Sequence, residues 1–267
     1  MRILMCPPDH YNVEYEINAW MRITRTPDAA LAKKQWDALY TLLSVRLGVD
    51  VELIAGHAGL PDMVFTANAG LVDGKRFIPS RFRHAERQGE SPYYERWFIS
   101  HGYSSQPVPD YIAGTHEGEG DSLMWRDLLL CGHGHRSDVP AHCAIGGMVG
   151  RDVVALELVD PRWYHLDTCL LPLTDDLIAY YPAAFDADSV AVIERLPGEK
   201  IKLSDNDAAL FGANAVVVGK HVIMNSGCEE LMSTLRDHGL KPHATDLSEF
   251  LKAGGAAKCL SLLLDHA

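Results

Sequence analysis

A cysteine near the carboxyl end of the chain is the first candidate for chemistry. Cys259 follows a run of small residues, 253–257, that can form a tight loop and bring the thiol to the start of a strand. The ammonium group of the neighbouring Lys258 would favour the thiolate, which is the nucleophilic form of cysteine. The alternative is a structural thiol at the start of a buried strand, because core packing is the commonest role of a free cysteine.

A histidine and an aspartate lie two residues apart in the middle of the chain. Residues 164–171 are predicted to form a β-strand, in which every second side chain points to the same face. His165, Asp167 and Cys169 would therefore share one face, and this grouping of a titratable ring, a carboxylate and a thiol suits a catalytic site. A half-exposed strand that carries a surface histidine and aspartate would explain the same residues.

Three carboxylates alternate with glycines in the segment that reads His-Glu-Gly-Glu-Gly-Asp. They are Glu117, Glu119 and Asp121, and an apolar strand is predicted directly after them. The glycines permit a tight turn and the close approach of a ligand. Clustered carboxylates suit a cationic partner, such as a guanidinium group or a metal ion. An acidic turn on the protein surface is the simpler alternative.

A further polar pair lies in the segment PDMVFTANAG. Asp62 and Asn68 are six residues apart and would share a face if residues 63–72 formed a regular strand. The alternative is a strand that starts with an aspartate and contains a buried, hydrogen-bonded asparagine. This segment therefore adds two candidates for a polar pocket.

Histidines are plentiful, with 13 in the chain, so a metal site has to be considered. His133, His135, His142 and Cys143 lie close together in the sequence, but their spacing matches no standard zinc site. The sequence contains neither GxGxxG nor GxxxxGK(S/T), so a classical nucleotide-binding fold has no support. We therefore predict no metal ion and no cofactor.

Short strands and helices are predicted to alternate along the chain. Their order is often strand–strand–helix, which favours an α/β fold with mixed sheets over a Rossmann sheet or a TIM barrel. No linker interrupts the sequence, so we predict a single domain over residues 1–267. The predicted strands are 2–6, 49–54, 63–72, 123–131, 153–158, 164–171, 177–181 and 257–265, with a hairpin at 215–225. Helices are predicted to begin at 26–28, where Thr26 would be the N-cap, and at 91, 139, 189 and 228.

The composition argues against several classes of function. The 267 residues are 47% hydrophobic and 22% charged, which is ordinary for a globular protein. The formal net charge of −12, without a basic block, makes nucleic acids and membranes poor partners. The amino terminus lacks the apolar region of a signal peptide, and the six cysteines are scattered. These features predict a cytoplasmic protein with reduced thiols.

Together, these segments resemble the guanidine-modifying superfamily, which includes arginine deiminases, dimethylarginine dimethylaminohydrolases and amidinotransferases. The order is similar: a PDxVF strand, an acidic glycine-rich turn, a central His-x-Asp, and a cysteine after a glycine-rich loop. Within the superfamily, the sequence most closely resembles the catalytic domain of arginine dihydrolases. The similar stretches extend over nearly the full chain: MCPPDHYNVEYEINAWM, PDMVFTANAGLV, SRFRHAERQGESPYY, EGEGD, RWYHLDTCLLPL, YYPAAFD and EFLKAGGAAKCLSL.

The resemblance implies a five-bladed α/β propeller of pseudo-fivefold ββαβ repeats, with the active site in a polar channel. It also implies catalytic roles. Cys259 would be the nucleophile, His165 the general acid and base, and Glu117 the carboxylate that orients His165. Family members mostly have an acid three residues before the aspartate of the Gly-Asp pair. Glu117 lies four residues before Asp121, so Glu119 is kept as an alternative.

The resemblance further implies a set of substrate-binding residues. Asp167 would hold the guanidinium group, and Asn68 lies where many deiminases have an acid. Arg87 and Arg136 match the arginines that bind the substrate carboxylate. The remaining predicted pocket residues are Asn18, Asp62 and Asp121.

The implied reaction is hydrolysis of the arginine guanidinium through a cysteine thiolate and an S-alkylthiouronium intermediate. One round would give citrulline and ammonia, and a second round would leave ornithine, a second ammonia and carbon dioxide. We link the second round to the neutral Asn68, because a pocket with one negative charge fewer should release neutral citrulline less readily. The predicted partner is a small molecule, L-arginine or a derivative, and a homo-oligomer is left open.

Other readings of the sequence remain. A plain arginine deiminase would stop at citrulline, a dimethylarginine dimethylaminohydrolase would release dimethylamine, and an amidinotransferase would use an amine in place of water. Outside this class, a domain that binds arginine without turnover and a zinc-dependent hydrolase are the alternatives.

Overall fold

The computed structural model describes residues 1–265 and has a mixed α/β architecture. Within these residues, the strands form five sheets of three strands each. The strands are β1 (Arg2–Met5), β2 (Asp50–Leu53), β3 (Gly70–Asp73), β4 (Arg76–Pro79), β5 (Ser104–Ser105), β6 (Ser122–Trp125), β7 (Leu128–His133), β8 (Asp152–Glu157), β9 (Leu170–Thr174), β10 (Leu177–Tyr180), β11 (Glu199–Lys202), β12 (Val216–Val218), β13 (His221–Asn225), β14 (Lys241–Thr245) and β15 (Leu262–Leu263).

The helices lie between the strands in chain order. They are α1 (Ala29–Thr41), α2 (Ala85–Gln88), α3 (Ser91–Ser100), α4 (Val139–Val149), α5 (Ala187–Arg195), α6 (Asp205–Ala209), α7 (Glu229–Asp237) and α8 (Ser248–Leu251). The N-cap of α1 is Asp28, whose carboxylate accepts a hydrogen bond from Leu31 N, and not the predicted Thr26. Among the described residues, none of the helices combines the length and the apolar composition that a membrane span requires.

Each sheet repeats the same order of elements. In one of them, β6 and β7 form an antiparallel hairpin, α4 follows, and β8 returns parallel to β7. A parallel return needs a crossover connection, which the helix supplies. The sheets β3–β4–β5, β9–β10–β11 and β12–β13–β14 have the same hairpin, helix and parallel third strand. The chain is therefore a series of ββαβ units.

One of the five units is assembled from the two ends of the described chain. β15 pairs antiparallel with β1, α1 follows β1, and β2 lies parallel to β1. Ile3 is paired with Leu263 and Leu4 with Leu262, and Arg2 N donates to the Asp265 carboxylate at 2.7 Å. The segment that carries Cys259 is therefore held in place by the first strand of the protein.

Three of the predicted strands were wrong at their amino-terminal ends. The strand predicted at 63–72 overlaps two 3₁₀ turns, Pro61–Val64 and Thr66–Ala69, which precede β3. The strand predicted at 164–171 contains a 3₁₀ turn over Leu166–Thr168, which precedes β9. In residues 257–265, only β15 is a strand. Local hydrogen bonds compete with the extended backbone here. For example, the Thr168 hydroxyl donates to His165 O at 2.6 Å.

Other predicted elements are confirmed or subdivided. The predicted hairpin at 215–225 is β12 and β13, and the predicted helices at 91, 139, 189 and 228 correspond to α3, α4, α5 and α7. The single strand predicted at 123–131 is instead the hairpin β6–β7, which turns at Arg126 with a positive φ of 52°. The apolar residues on both sides of this two-residue turn were predicted as one continuous strand.

The turns that precede the first strand of each unit are rich in buried polar side chains. Asn68 precedes β3, Glu119 precedes β6, Asp167 precedes β9, Asn214 precedes β12 and Cys259 precedes β15. None of these five side chains is more than 2% exposed. Because the repeated units place corresponding turns next to each other, residues far apart in the sequence form one polar cluster.

Candidate active site

The thiol of Cys259 lies at the centre of a small polar cluster. Its Sγ is 3.3 Å from Asp167 Oδ2 and 3.1 Å from Asn214 Nδ2, which donates a hydrogen bond to it. Burial raises the pKa of the Cys259 thiol well above its ordinary value, and the negative charge of Asp167 adds to this effect. The thiolate therefore needs a positive charge that the unliganded site does not supply.

His165 is paired with Glu117 and not with Glu119. Its Nε2–H donates to Glu117 Oε2 at 2.8 Å, and the same oxygen accepts from Arg136 Nη1 at 3.0 Å. Burial lowers the pKa of His165 to about 4, although Glu117 opposes this shift. Burial would raise the pKa of Glu117, but Arg136 and His165 outweigh it and hold that pKa well below its ordinary range. Among the described residues, Nδ1 of His165 has no hydrogen-bond partner, so it can accept or deliver a proton.

The glycines of the acidic turn are required by the close packing of the site. Gly118 has a φ of +60°, and a Cβ there would come within 2.6 Å of Gly70 O. A Cβ at Gly120 would lie 2.4 Å from Asn68 Nδ2 and 3.1 Å from His165 Nδ1. The turn therefore permits Asn68 and His165 to approach its backbone closely.

Asp167 and Asn68 are the two predicted guanidinium-binding residues. Burial raises the pKa of Asp167 to about 7, and the positive charge of Lys258 opposes that shift. Its Oδ1 is buried and accepts no hydrogen bond from residues 1–265. Asn68 accepts a hydrogen bond from Arg87 Nη1 at 2.8 Å through its amide oxygen, and its Nδ2 lies 3.4 Å from Glu117 O.

The two predicted carboxylate-binding arginines are buried and paired within the protein. Arg87 donates to both oxygens of Glu90, at 2.8 and 2.9 Å, and lies beside Asp62. Arg136 donates to Glu117 and to Ile17 O, at 3.0 and 2.9 Å. Their guanidinium groups are therefore held in fixed positions by charged and backbone acceptors before any substrate binds.

The remaining predicted pocket residues differ in their surroundings. Asp62 is buried, and its Oδ2 lies 3.8 Å from Arg87 Nε. Asp121 accepts from Leu166 N and from the Ser137 hydroxyl, at 3.0 and 2.6 Å, so one oxygen ties the acidic turn to the His165 turn and the other ties it to the segment before α4. Asn18 donates to Ala253 O at 3.0 Å and joins an amino-terminal loop to the glycine-rich loop before Cys259.

Two sequence-based interpretations are corrected by the geometry. Cys169 does not share a face with His165 and Asp167, because it ends a 3₁₀ turn and its Sγ lies 3.5 Å from Leu166 O. Lys258 donates to Glu119 at 2.6 Å, so its ammonium group is not directed at the neighbouring thiol. Within residues 1–265, no group of three histidine, cysteine, aspartate or glutamate side chains could hold a metal ion.

Asn214 is the site residue that the sequence reasoning missed. Its Oδ1 accepts hydrogen bonds from Ala256 N and Cys259 N, at 2.9 and 3.1 Å. Its Nδ2 donates to Cys259 Sγ and to Asp167 O, both at 3.1 Å. One amide thus orients the cysteine loop and the thiol together. One feature of the sequence could have identified Asn214, which lies directly before the predicted hairpin at 215–225. An asparagine beside an apolar strand is often buried and fully hydrogen-bonded.

We expect Asn214→Asp to lower kcat/KM by about 100-fold, because it replaces the donor to Sγ with an acceptor and adds negative charge beside the thiolate. The alkylation rate of the enzyme by iodoacetamide against pH should show a raised thiol pKa. Asn225→Asp is the matched control, since Asn225 is equally buried but bonds to Leu210 O and Leu247 N. An Asn214 variant with the alkylation profile of the wild type would contradict the assignment.

Comparisons with known proteins identify relatives that align with nearly the whole chain. No protein-family model matches the chain. The bifunctional arginine dihydrolase/ornithine cyclodeaminase ArgZ of Synechocystis is 46% identical in an alignment that covers 98% of this chain and 37% of that protein. The chain thus spans little more than a third of the length of ArgZ. The dimethylarginine dimethylaminohydrolase of Mycobacterium tuberculosis is 43% identical over 98% of this chain and 85% of its own length.

A solved structure extends the agreement to the fold. The N-terminal domain of ArgZ, crystallised as a cysteine-to-serine variant bound to substrate, superimposes with a TM-score of 0.93 at 44% identity. The match covers 99% of this chain and 98% of that domain. The chain therefore belongs to the guanidine-modifying superfamily, the group of dimethylarginine dimethylaminohydrolases and arginine dihydrolases.

Proposed function

We propose that this chain hydrolyses L-arginine to ornithine, carbon dioxide and two molecules of ammonia. The similarity to the ArgZ N-terminal domain, which is described as an arginine dihydrolase, supports this substrate and this extent of reaction. The observation that carries the proposal is the set of buried acceptors around Cys259. Asp167 Oδ1 and His165 Nδ1 are buried without a donor from residues 1–265, and a planar cation with several N–H groups would supply donors to both.

In the first round, the bound guanidinium balances the charge of Asp167 and favours the thiolate of Cys259. The thiol proton passes to Nδ1 of His165, and the thiolate attacks the guanidinium carbon. The imidazolium then returns this proton to the leaving nitrogen, and ammonia departs. The product is an S-alkylthiouronium group on Cys259. His165 then accepts a proton from water, which attacks the same carbon and displaces the thiolate, so that citrulline and one ammonia are formed.

In the second round, citrulline stays bound and the thiolate attacks its ureido carbon. His165 protonates the second amino group, which leaves as ammonia, and a thiocarbamate remains on Cys259. A second water molecule displaces the thiolate and gives the carbamate of ornithine, which loses carbon dioxide. In the two rounds together, one arginine and two water molecules give one ornithine, one carbon dioxide and two ammonia molecules.

The test of the proposal is an end-point analysis of products from L-arginine in the presence of a chelator. Ornithine with two ammonia per arginine supports dihydrolysis. Citrulline with one ammonia would make the chain a deiminase. Loss of turnover in the chelator would favour a zinc-dependent hydrolase, and binding of arginine without turnover would favour a non-catalytic domain.

We expect Asn68→Asp to raise the citrulline-to-ornithine ratio by about tenfold or more, because the added charge favours the cationic substrate over the neutral ureido group. Arg87 already donates to the Asn68 oxygen and would hold the new carboxylate in place. Amino-acid analysis at several time points gives the ratio. Asn206→Asp, which adds the same charge at an exposed position of α6, is the control. An unchanged ratio in Asn68→Asp would remove our link between Asn68 and the second round.

A second candidate activity is hydrolysis of dimethylarginine. It is favoured by the M. tuberculosis dimethylaminohydrolase, of which the chain covers 85%. The same site would then release dimethylamine and citrulline from asymmetric dimethylarginine. Competition between arginine and dimethylarginine, followed through their separate amine products, decides which substrate has the higher kcat/KM.

The closed five-bladed propeller is also part of this proposal, as is a single domain over the whole chain. Five ββαβ units and the pairing of β15 with β1 support a ring, since the last and first strands then share a blade. A crystal structure in which the five sheets surround a common axis would establish it.

A further inference from the structure

A cavity of about 100 Å³ reaches Asp167 from between the first strands of four sheets. We call it the inter-sheet cavity, and its walls include Leu123, Met124, Leu170, Pro172, Val217 and Leu263. These residues belong to β6, β9, β12 and β15, the strands that follow the site-forming turns. Its volume is sufficient for a few water molecules.

The two ends of the inter-sheet cavity differ. The inner end is bounded by the buried side chains of Asp167, Glu119 and Lys258. Because Asp167 Oδ2 is 3.3 Å from Cys259 Sγ, the cavity ends one side chain from the sulfur. Lys258 is tied to the wall, since it donates to Glu119 and to Ser261 O at 2.6 and 3.2 Å. The outer rim is half-buried and consists of Met124, Pro172, Val217 and Leu263.

The walls between these ends are apolar except for the buried hydroxyl of Ser122. Leucine, valine and alanine side chains offer no hydrogen bonds, so a charged molecule would lose its hydration there without compensation. Arginine, citrulline and ornithine each carry charged groups at neutral pH and are poorly suited to such a passage. Water, ammonia and carbon dioxide are small and uncharged, and they are the co-substrate and the small products of the proposed reaction.

We propose that the inter-sheet cavity is the route by which water reaches the reacting carbon and ammonia leaves it while the amino acid stays bound. The inference rests on the proposed function. Two rounds on one bound substrate require citrulline to keep its place, so its path of entry stays occupied. Two waters must nevertheless arrive and two ammonia must leave between arginine binding and ornithine release.

The test is to narrow the outer rim with Val217→Trp. We expect kcat on arginine to fall by about tenfold while KM is unchanged, because exchange of small molecules becomes rate-limiting. The covalent intermediate on Cys259 should accumulate and be visible in the intact mass of acid-quenched enzyme. Val218→Trp is the matched control, since Val218 is half-buried on the same strand but points to the other face, and it should behave as the wild type.

Met124→Trp narrows the same rim from β6 and provides a second test if Val217→Trp lowers the unfolding temperature. If folded Val217→Trp and Met124→Trp enzymes keep both kcat and the fraction of enzyme that carries the covalent intermediate within about twofold of the wild type, the cavity is not the route. Equal losses in Val218→Trp would also overturn the proposal. The proposed function is tested separately, because it is contradicted if the wild-type chain makes no ornithine. That result does not depend on any of the tryptophan variants.

Discussion

Cys259→Ser is expected to abolish arginine turnover, with a loss in kcat of about 10⁴-fold or more, while arginine still binds. A serine hydroxyl can keep the contacts to Asn214 and Asp167, so the pocket should retain its shape. Its oxygen, however, does not ionise at neutral pH as a thiol can, and no base within the cluster is strong enough to replace that property. Calorimetric titration with L-arginine measures the retained binding, and ammonia release measures turnover.

Cys169→Ser is the control for this prediction. Cys169 is also fully buried, and its sulfur lies near Leu166 O, to which a serine hydroxyl can donate. We expect its turnover to stay close to that of the wild type. Turnover that persists in Cys259→Ser, or that is lost only in Cys169→Ser, would assign the nucleophile to a different residue.

Glu117→Gln is expected to lower kcat/KM by about 10²- to 10⁴-fold. The neutral amide leaves Arg136 without its ion pair and no longer stabilises a positive charge on His165. Burial already lowers the pKa of His165 to about 4, and Glu117 is what opposes that shift. Removing the carboxylate therefore lowers the His165 pKa further, so the imidazole is a weaker base and stays neutral to lower pH. The acidic limb of the kcat/KM profile should move to lower pH.

The control for Glu117 is another buried, paired carboxylate away from the cluster. Glu249 accepts from Lys252 Nζ and from Asp28 N, both at 2.6 Å, and is 5% exposed. Glu249→Gln should lower the free energy of unfolding and leave the pH profile of the folded enzyme unchanged. If Glu117→Gln also leaves the acidic limb in place, then Glu117 has only a structural role.

Both predictions depend on how strongly burial opposes negative charge in the cluster before a substrate binds. Burial raises the pKa of Asp167 to about 7 and of Cys259 well above its ordinary value, so both groups resist ionisation in the unliganded site. A bound guanidinium would lower both pKa values, because it places a delocalised positive charge near both groups. Substrate binding and activation of the nucleophile are then one electrostatic event. A neutral ligand that merely fills the space would not produce it.

The sequence by itself determined the types of residue available for chemistry and most of the elements that carry them. A thiol, a histidine, several carboxylates and two arginines were identified from local motifs and from the resemblance that those motifs carry. Alternating and helical apolar patterns predicted α3, α4, α5, α7 and the β12–β13 hairpin, because those signals depend on residues close together in the chain. The strand predicted at 164–171 placed His165 beside Cys169, and that pairing was wrong.

Only the tertiary structure decided which of these groups meet. Glu117 and His165 are 48 positions apart, and Asp167 and Cys259 are 92 apart, yet each pair lies within 3.3 Å. Hydrogen bonds and ion pairs act over a few ångströms, so their partners depend on how the five units pack and not on spacing along the chain. The same packing brought Asn214 to the thiol, turned Lys258 towards Glu119 and left an apolar cavity leading to Asp167. None of these three features can be predicted from a single segment of the sequence.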